Sequence, residues 1–226
     1  MKKILLLLMF LLPNVSFAQV TDNFDSYTDG DLNGQGSWSG NTAWDIQGTT
    51  VQGGTKAITH VGGTASNVSK SMTSTAAGVQ SFYFRVAGTA DALMRFFLVE
   101  SETNNVLVKS NGGALYYFNG ASYINWASIS SNIWYKVDIQ WDKATQKARY
   151  RLDNGTWTSY DNLYTNTVTG VNTVILGKGT NDTTAIYFDT LTNATESAAT
   201  TPIISPLIFF GFIELYKLHL YKPHFV

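Results

Sequence analysis

The chain has no cysteine, only three histidines, and a charged fraction of 14% over 226 residues. Without cysteine no disulfide can staple an exported fold, and the lipid anchor of a lipoprotein, which needs a Cys acceptor, is excluded. Stability therefore rests on the core alone. His60 is the one histidine before the C-terminal tail and no nucleophile elbow occurs, so a Ser-His-Asp hydrolase finds no support. Basic and acidic residues number 15 and 16 with no basic stripe, which argues against a nucleic-acid partner. There is no repeat at propeller or solenoid spacing, no helical period before the tail, and no EF-hand spacing among the acids.

What is present begins with an export pattern. Lys2 and Lys3 precede the apolar run Ile4 to Leu12, which is too short to span a bilayer, and Ser16-Phe17-Ala18 offers small residues where a signal peptidase cuts. Residues 1–18 are expected to be a signal peptide, with Gln19 as the mature start. Loss of Lys2 and Lys3 leaves 13 basic residues against 16 acidic ones, a net charge of about −3. Residues 19–194 have the size of one β domain and can bury a sizeable core.

Strand patterns then follow one another. Phe82, Phe84 and Val86 alternate with Ser81, Tyr83 and Arg85, while Leu93 to Glu100 is a denser apolar run that suits a strand buried on both faces. Asn104-Asn105, Asn111-Gly112-Gly113, Asn119-Gly120 and Asn154-Gly155 read as tight turns. Between Ile133 and Tyr160 the pattern is specific enough to fix a register. With Asp142 opposite Lys147, Trp141 meets Ala148, Ile139 meets Tyr150 and Val137 meets Leu152 on the core side. Gln140 then meets Arg149 and Asp138 meets Arg151 on the side expected to face solvent. The Asn154-Gly155 turn is expected to return Trp157 to the core side.

The opening run Asn23-Phe24-Asp25-Ser26-Tyr27, the closing Ile186-Tyr187-Phe188-Asp189-Thr190-Leu191, and the segments Trp134-Tyr135-Lys136-Val137 and Tyr150-Arg151-Leu152-Asp153-Asn154-Gly155 resemble the concanavalin A-like, laminin G-like jelly-roll superfamily. The resemblance covers roughly Thr21 to Ala194 and implies an all-β, two-sheet antiparallel jelly-roll sandwich with adjacent first and last strands. It also implies a glycan-binding or adhesion role, with some enzymes among the relatives. In such modules the chain ends often share a structural calcium ion, for which Asp25 and Asp189 are the candidates here. Calcium takes six to eight oxygens, so two carboxylates plus carbonyls would supply part of a shell. The alternative is that Asp22, Asp25, Asp29 and Asp31 only shape turns.

Sugar binding needs an exposed ring flanked by hydrogen-bonding groups. Strand parity puts Trp134 on the polar face near Lys136 and Arg151. Tyr116 and Tyr123 are expected to face one another across the Asn119-Gly120 hairpin with Asn125 on the same side; Leu115, Tyr117, Ile124 and Trp126 share the other side, and the pattern leaves open which is buried. Each of these rings could equally be packing. A glycosidase would need paired acids. Glu100 and Glu102 are the nearest approach, but related laminarinase-type enzymes carry an additional central Asp that Val99-Glu100-Ser101-Glu102-Thr103 lacks.

After Asn193 the composition changes to a polar linker and then Leu207-Ile208-Phe209-Phe210-Gly211-Phe212-Ile213-Glu214-Leu215-Tyr216-Lys217. A helix from Pro206 to Tyr221 would be about 24 Å long, short of the roughly 30 Å hydrocarbon layer, and Glu214 near its middle would cost about 3 kcal/mol. Residues 195–226 are expected to form a linker and a marginal membrane anchor, with an interfacial helix, a strand or lid on the sandwich, or the degraded end of a longer protein as alternatives. The sequence thus points to an exported or cell-surface recognition domain for a polysaccharide or surface glycan. A glycoside hydrolase or lyase and a structural spacer are the competing readings.

Overall fold

Period-two alternation of apolar residues becomes an all-β sandwich. The computed structural model describes residues 20–88, 93–100, 103–164, 170–179 and 183–193, so the export segment, the tail and Glu102 lie outside the described residues. The strands are β1 (Gly30–Asp31), β2 (Trp38–Gly40), β3 (Trp44–Gln47), β4 (Ala57–His60), β5 (Ser66–Thr75), β6 (Ala77–Val86), β7 (Leu93–Glu100) and β8 (Thr103–Asn111). They continue as β9 (Ala114–Phe118), β10 (Tyr123–Ser128), β11 (Trp134–Asp142), β12 (Lys147–Leu152), β13 (Asp161–Asn162), β14 (Val171–Gly179) and β15 (Ile186–Asn193). One sheet has eight strands in the order β1-β3-β4-β15-β6-β11-β12-β13, and the other seven in the order β10-β9-β8-β7-β14-β5-β2. Every pairing is antiparallel, so the two-sheet sandwich is the one that the resemblance to the jelly-roll superfamily implies.

Between the sheets, Trp44, Ile58, Phe82, Phe84, Val137, Ile139, Trp141 and Phe188 meet Val68, Met94, Phe96, Leu98, Val108, Leu115, Val174 and Leu176, all at or near zero exposure. Phe82 and Phe96 stack at 3.9 Å between centroids with planes 6° apart, which locks the two layers at their centre. The chain ends are adjacent as expected. Asp22 bridges Leu191 through reciprocal backbone bonds of 2.9 and 2.8 Å.

The β11–β12 register is the expected one at all six pairs, from Val137–Leu152 to Asp142–Lys147. Five other expectations fail, each for a tertiary reason; the first is β7, which is not buried on both faces, since Met94, Phe96 and Leu98 fill the core while Leu93, Arg95 and Phe97 on its outer side stay half-buried. Asp138 has zero exposure and does not face solvent, because Ser81 on the neighbouring β6 and Arg151 on β12 close over it. Trp157 leaves the core side and lies over the guanidinium groups of Arg149 and Arg151 at 4.7 and 4.5 Å, since the chain after Asn154-Gly155 returns to β12 at Thr158 and then through β13, without placing Trp157 opposite Leu152. Asn104-Asn105 is strand: Asn105 is buried in β8 with its amide donating to the Gly170 carbonyl at 3.0 Å. Finally, the Asn119 carboxamide accepts from the backbone of Ala121 and Ser122, which sets Tyr123 opposite Phe118, and Asn125 opposite Tyr116.

Candidate functional site

The six residues singled out for sugar contact divide between two outer faces of the sandwich. Tyr116, Tyr123 and Asn125 lie on the seven-stranded sheet; Trp134, Lys136 and Arg151 lie on the eight-stranded one. A single site cannot contain both sets. The open question about β9 and β10 closes in favour of Leu115 and Tyr117 as the buried side, with Ile124 and Trp126 packed against the core.

On the seven-stranded sheet, cross-strand pairing lines up Gly177, Arg95, Lys109, Tyr116 and Asn125. Gly179, two residues beyond Gly177, leaves the sheet surface open beneath Arg95: a Cβ there would stand 2.6 Å from the Arg95 guanidinium carbon. Lys109 reaches over the Tyr123 ring at 3.4 Å and lies 5.7 Å from the Tyr116 ring. Burial, with the Arg95 charge second, lowers the Lys109 pKa. Tyr123 is 46% exposed and its edge meets Phe118 at 4.9 Å, while Asn125 is exposed beside it. The result is two tyrosine rings, an ammonium and a free-standing carboxamide on one surface. Sequence reasoning missed Arg95 and Lys109. Their outward parity was readable, but their neighbours depend on the registers of four strands.

On the eight-stranded sheet the outward residues also form rows. Tyr187, Arg85 and Trp134 make the first, Asp189, Tyr83 and Lys136 the second, Ser81, Asp138 and Arg151 the third, and Gln140 with Arg149 the fourth. Trp134 is half-buried, with its ring 6.3 Å from Tyr187 in an edge contact, and Arg85 covers the same tyrosine at 5.0 Å. Asp138 accepts from Ser81 Oγ and Arg151 Nε, both at 2.5 Å, with Lys136 Nζ at 3.2 Å. Lys136 Nζ also donates to Asn154 Oδ1 at 2.9 Å. These contacts make Lys136 and Arg151 the partners of a buried acid as well as surface groups.

The acids near the chain ends serve structure. Asp189, fully buried, accepts from the Gln52 and Gly53 amides at 2.7 and 3.2 Å and from Thr190 Oγ1 at 3.0 Å. Burial outweighs these bonds and raises its pKa. Asp25 accepts from the Thr55 and Lys56 amides at 2.6 and 2.9 Å and from Asn23 Nδ2 at 2.9 Å, and the two amide bonds lower its pKa. The pair therefore grips the two ends of one loop, 52–56. All four carboxylate oxygens already face N–H or O–H donors, and calcium needs oxygen atoms turned toward it, so this donor set does not fit an ion shared by Asp25 and Asp189. Among the described residues no cluster of three or more His, Asp or Glu side chains occurs. Chelator is expected to leave the melting temperature of the full-length protein unchanged; a fall abolished by Asp25→Ala with Asp189→Ala would restore the ion.

Asp22 is the other structural acid. It accepts from Phe24 N at 3.0 Å, Tyr27 Oη at 2.6 Å, Trp38 Nε1 at 2.8 Å and Lys70 Nζ at 2.8 Å. It borders a polar cleft of about 590 Å³ whose wall includes Ser26, Lys70, Thr190 and Thr192. Glu100 ends β7 opposite Thr103, and its intended partner Glu102 lies outside the described residues.

No protein-family model matches the chain, and no curated protein matches it. Solved structures do. A sialidase gives a TM-score of 0.64 at 10% identity over 80% of this chain, which spans 19% of the sialidase chain. A β-glucanase of Bacillus licheniformis gives 0.54 at 8% identity, covering 78% of this chain and 98% of its own. The catalytic domain of a glycoside hydrolase family 131 protein from Coprinopsis cinerea gives 0.50 at 12%, covering 77% and 93%. At such identities the likeness establishes the architecture: this chain shares a jelly-roll sandwich with these proteins.

Proposed function

We propose that the protein is an exported or cell-surface domain that binds a polysaccharide or surface glycan without cleaving it, through the outer face of the seven-stranded sheet. The observation that carries this is the exposed Tyr123 ring held by Lys109, with Tyr116 and the Asn125 carboxamide alongside. Sugars present an apolar C–H face to a ring and hydroxyls to flanking polar groups, and this surface offers both. The names of the structural neighbours, a sialidase, a β-glucanase and a glycoside hydrolase, support a carbohydrate-related role. The described outward strand positions of this face carry Arg95 and Lys109 but no Asp or Glu, which favours holding over hydrolysis by a carboxylate pair. Display at the surface through the apolar tail completes the reading.

The test is retention of the full-length protein on insoluble or arrayed neutral polysaccharides. Tyr123→Ala is expected to weaken retention about three- to tenfold through lost stacking, with folding intact, and Trp134→Ala to leave it unchanged. Release of reducing ends would replace this reading with the hydrolase. Retention lost on Trp134→Ala but kept on Tyr123→Ala would move the site to the other sheet.

A further inference from the structure

We propose that the outer face of the eight-stranded sheet is a second binding surface, for a polyuronate, that is, a polysaccharide whose sugars carry carboxylates. The inference goes beyond the neutral-sugar reading above and uses none of its residues.

Cations concentrate on the β6–β11–β12 part of this face, away from the exposed Asp31 and Asp45 that pair on β1 and β3 at its other edge. The outward side chains of β6, β11 and β12 include Arg85, Lys136, Lys147, Arg149 and Arg151, against the carboxylates Asp138 and Asp142, in a chain with 15 basic and 16 acidic residues overall. Neither acid is presented to a ligand. Asp138 has zero exposure beneath its partners, and Asp142 turns back to accept from Ala144 N at 2.8 Å and Thr145 Oγ1 at 3.1 Å. The flanking Asp189 is buried under the 52–53 backbone, and Asp153 accepts from the Lys136 amide at 2.7 Å.

Aromatic rings are interleaved with these cations. Arg85 lies over Tyr187 at 5.0 Å, Arg149 over Trp157 and Tyr160 at 4.7 Å each, and Arg151 over Trp157 at 4.5 Å. A guanidinium stacked on a ring is pre-oriented; Arg85 bonds Asn132 through Nη2 and Arg151 bonds Asp138 through Nε, so a ligand carboxylate would meet their other N–H groups. Same-face positions along a strand repeat every 6.6–6.8 Å or so, and the rows cross three strands, which suits a linear polymer rather than a single small anion. The choice of uronate follows from the mixture. A densely charged polyanion calls for clustered cations, whereas a uronic sugar brings both a C–H face for Trp134 or Tyr187 and one carboxylate for an arginine.

The test is affinity electrophoresis of the full-length protein in gels containing polygalacturonate or its methyl ester, which keeps the sugar and removes the charge. The acid polymer is expected to retard the protein and the ester not to, with retardation falling as salt rises. Arg85→Gln is the diagnostic variant, because Arg85 bonds Asn132 at 2.7 Å and stands outside the Asp138 network, so the fold is expected to persist, which its melting curve checks. It should weaken binding about tenfold. Tyr123→Ala should leave polygalacturonate binding intact while weakening neutral-glycan retention, so the two proposals fail separately. Equal retardation by the ester, equal or stronger retardation by dextran sulfate or DNA, or unchanged retardation of a folded Arg85→Gln protein would each overturn the assignment.

Discussion

Asp138→Ala is expected to be among the most damaging single substitutions in the sandwich, lowering stability by about 3–5 kcal/mol and the melting temperature by roughly 10 °C. The carboxylate has zero exposure, and its removal leaves Arg151 and Lys136, whose side chains are only 21% and 19% exposed, without their shared counter-charge and Ser81 without its acceptor. Were the pair on the solvent side, as strand parity alone implies, exchanging Asp138 or Arg151 would cost at most about 1 kcal/mol. Burial removes the difference from Val137→Asp, which introduces an unpaired acid one residue away on the core face and is expected to cost a similar amount. Lys147→Ala, which removes only a 2.7 Å bond to Asn162, is the control and should cost at most about 0.5 kcal/mol. Thermal denaturation reads all three. A melting temperature for Asp138→Ala within a degree of wild type would mean that the acid is solvated.

Asp22→Ala is expected to be nearly as severe, about 3 kcal/mol, because one carboxylate ties the N-terminal segment to Lys70 on β5 and to the Trp38 indole. It also governs behaviour in acid. Burial is the largest influence on the Asp22 pKa and raises it, but the bonds from Lys70, Tyr27, Trp38 and Phe24 together exceed it and the net shift is downward. A carboxyl whose folded pKa is depressed contributes stability above its unfolded value of about 3.9 and loses it as pH falls through the folded value. His60 acts with the same sign in a higher window: burial, then the Lys178 charge, lowers its pKa, so stability present above about pH 6.5 declines as pH falls through the folded value. Asp189, raised by burial, opposes both, since its contribution is greatest below its unfolded value and declines as pH rises through the folded one. Melting temperature against pH should therefore fall on the acid side for wild type, with the step below about pH 4 reduced in Asp22→Asn. An identical acid step in that variant would assign it elsewhere, with Asp25 the first alternative.

The resemblance to the jelly-roll superfamily implied the neighbouring chain ends, whereas the residues by themselves determined the strand character and the β11–β12 register. These features are local or depend on a two-residue period, and burial of one face punishes any slip by reversing every side chain. The sequence also marked the polar side of β11 as a place for an exposed ring, but left open which side of β9 and β10 is buried. What it could not reach was which residues meet across non-consecutive strands. Ser81 and Asp138 are 57 positions apart, and only the β6–β11 pairing buries that acid. Asp25 and Asp189 looked alike as metal ligands because a carboxylate in sequence shows no partner, and the loop amides that occupy both come from residues 52–56. In the same way, Trp134 and Tyr123 read as one class of surface aromatic until the sheet order placed them on opposite faces. Parity tells which side of its own strand a residue occupies; the order of strands within each sheet, set by the packing of the two layers, decides its neighbours.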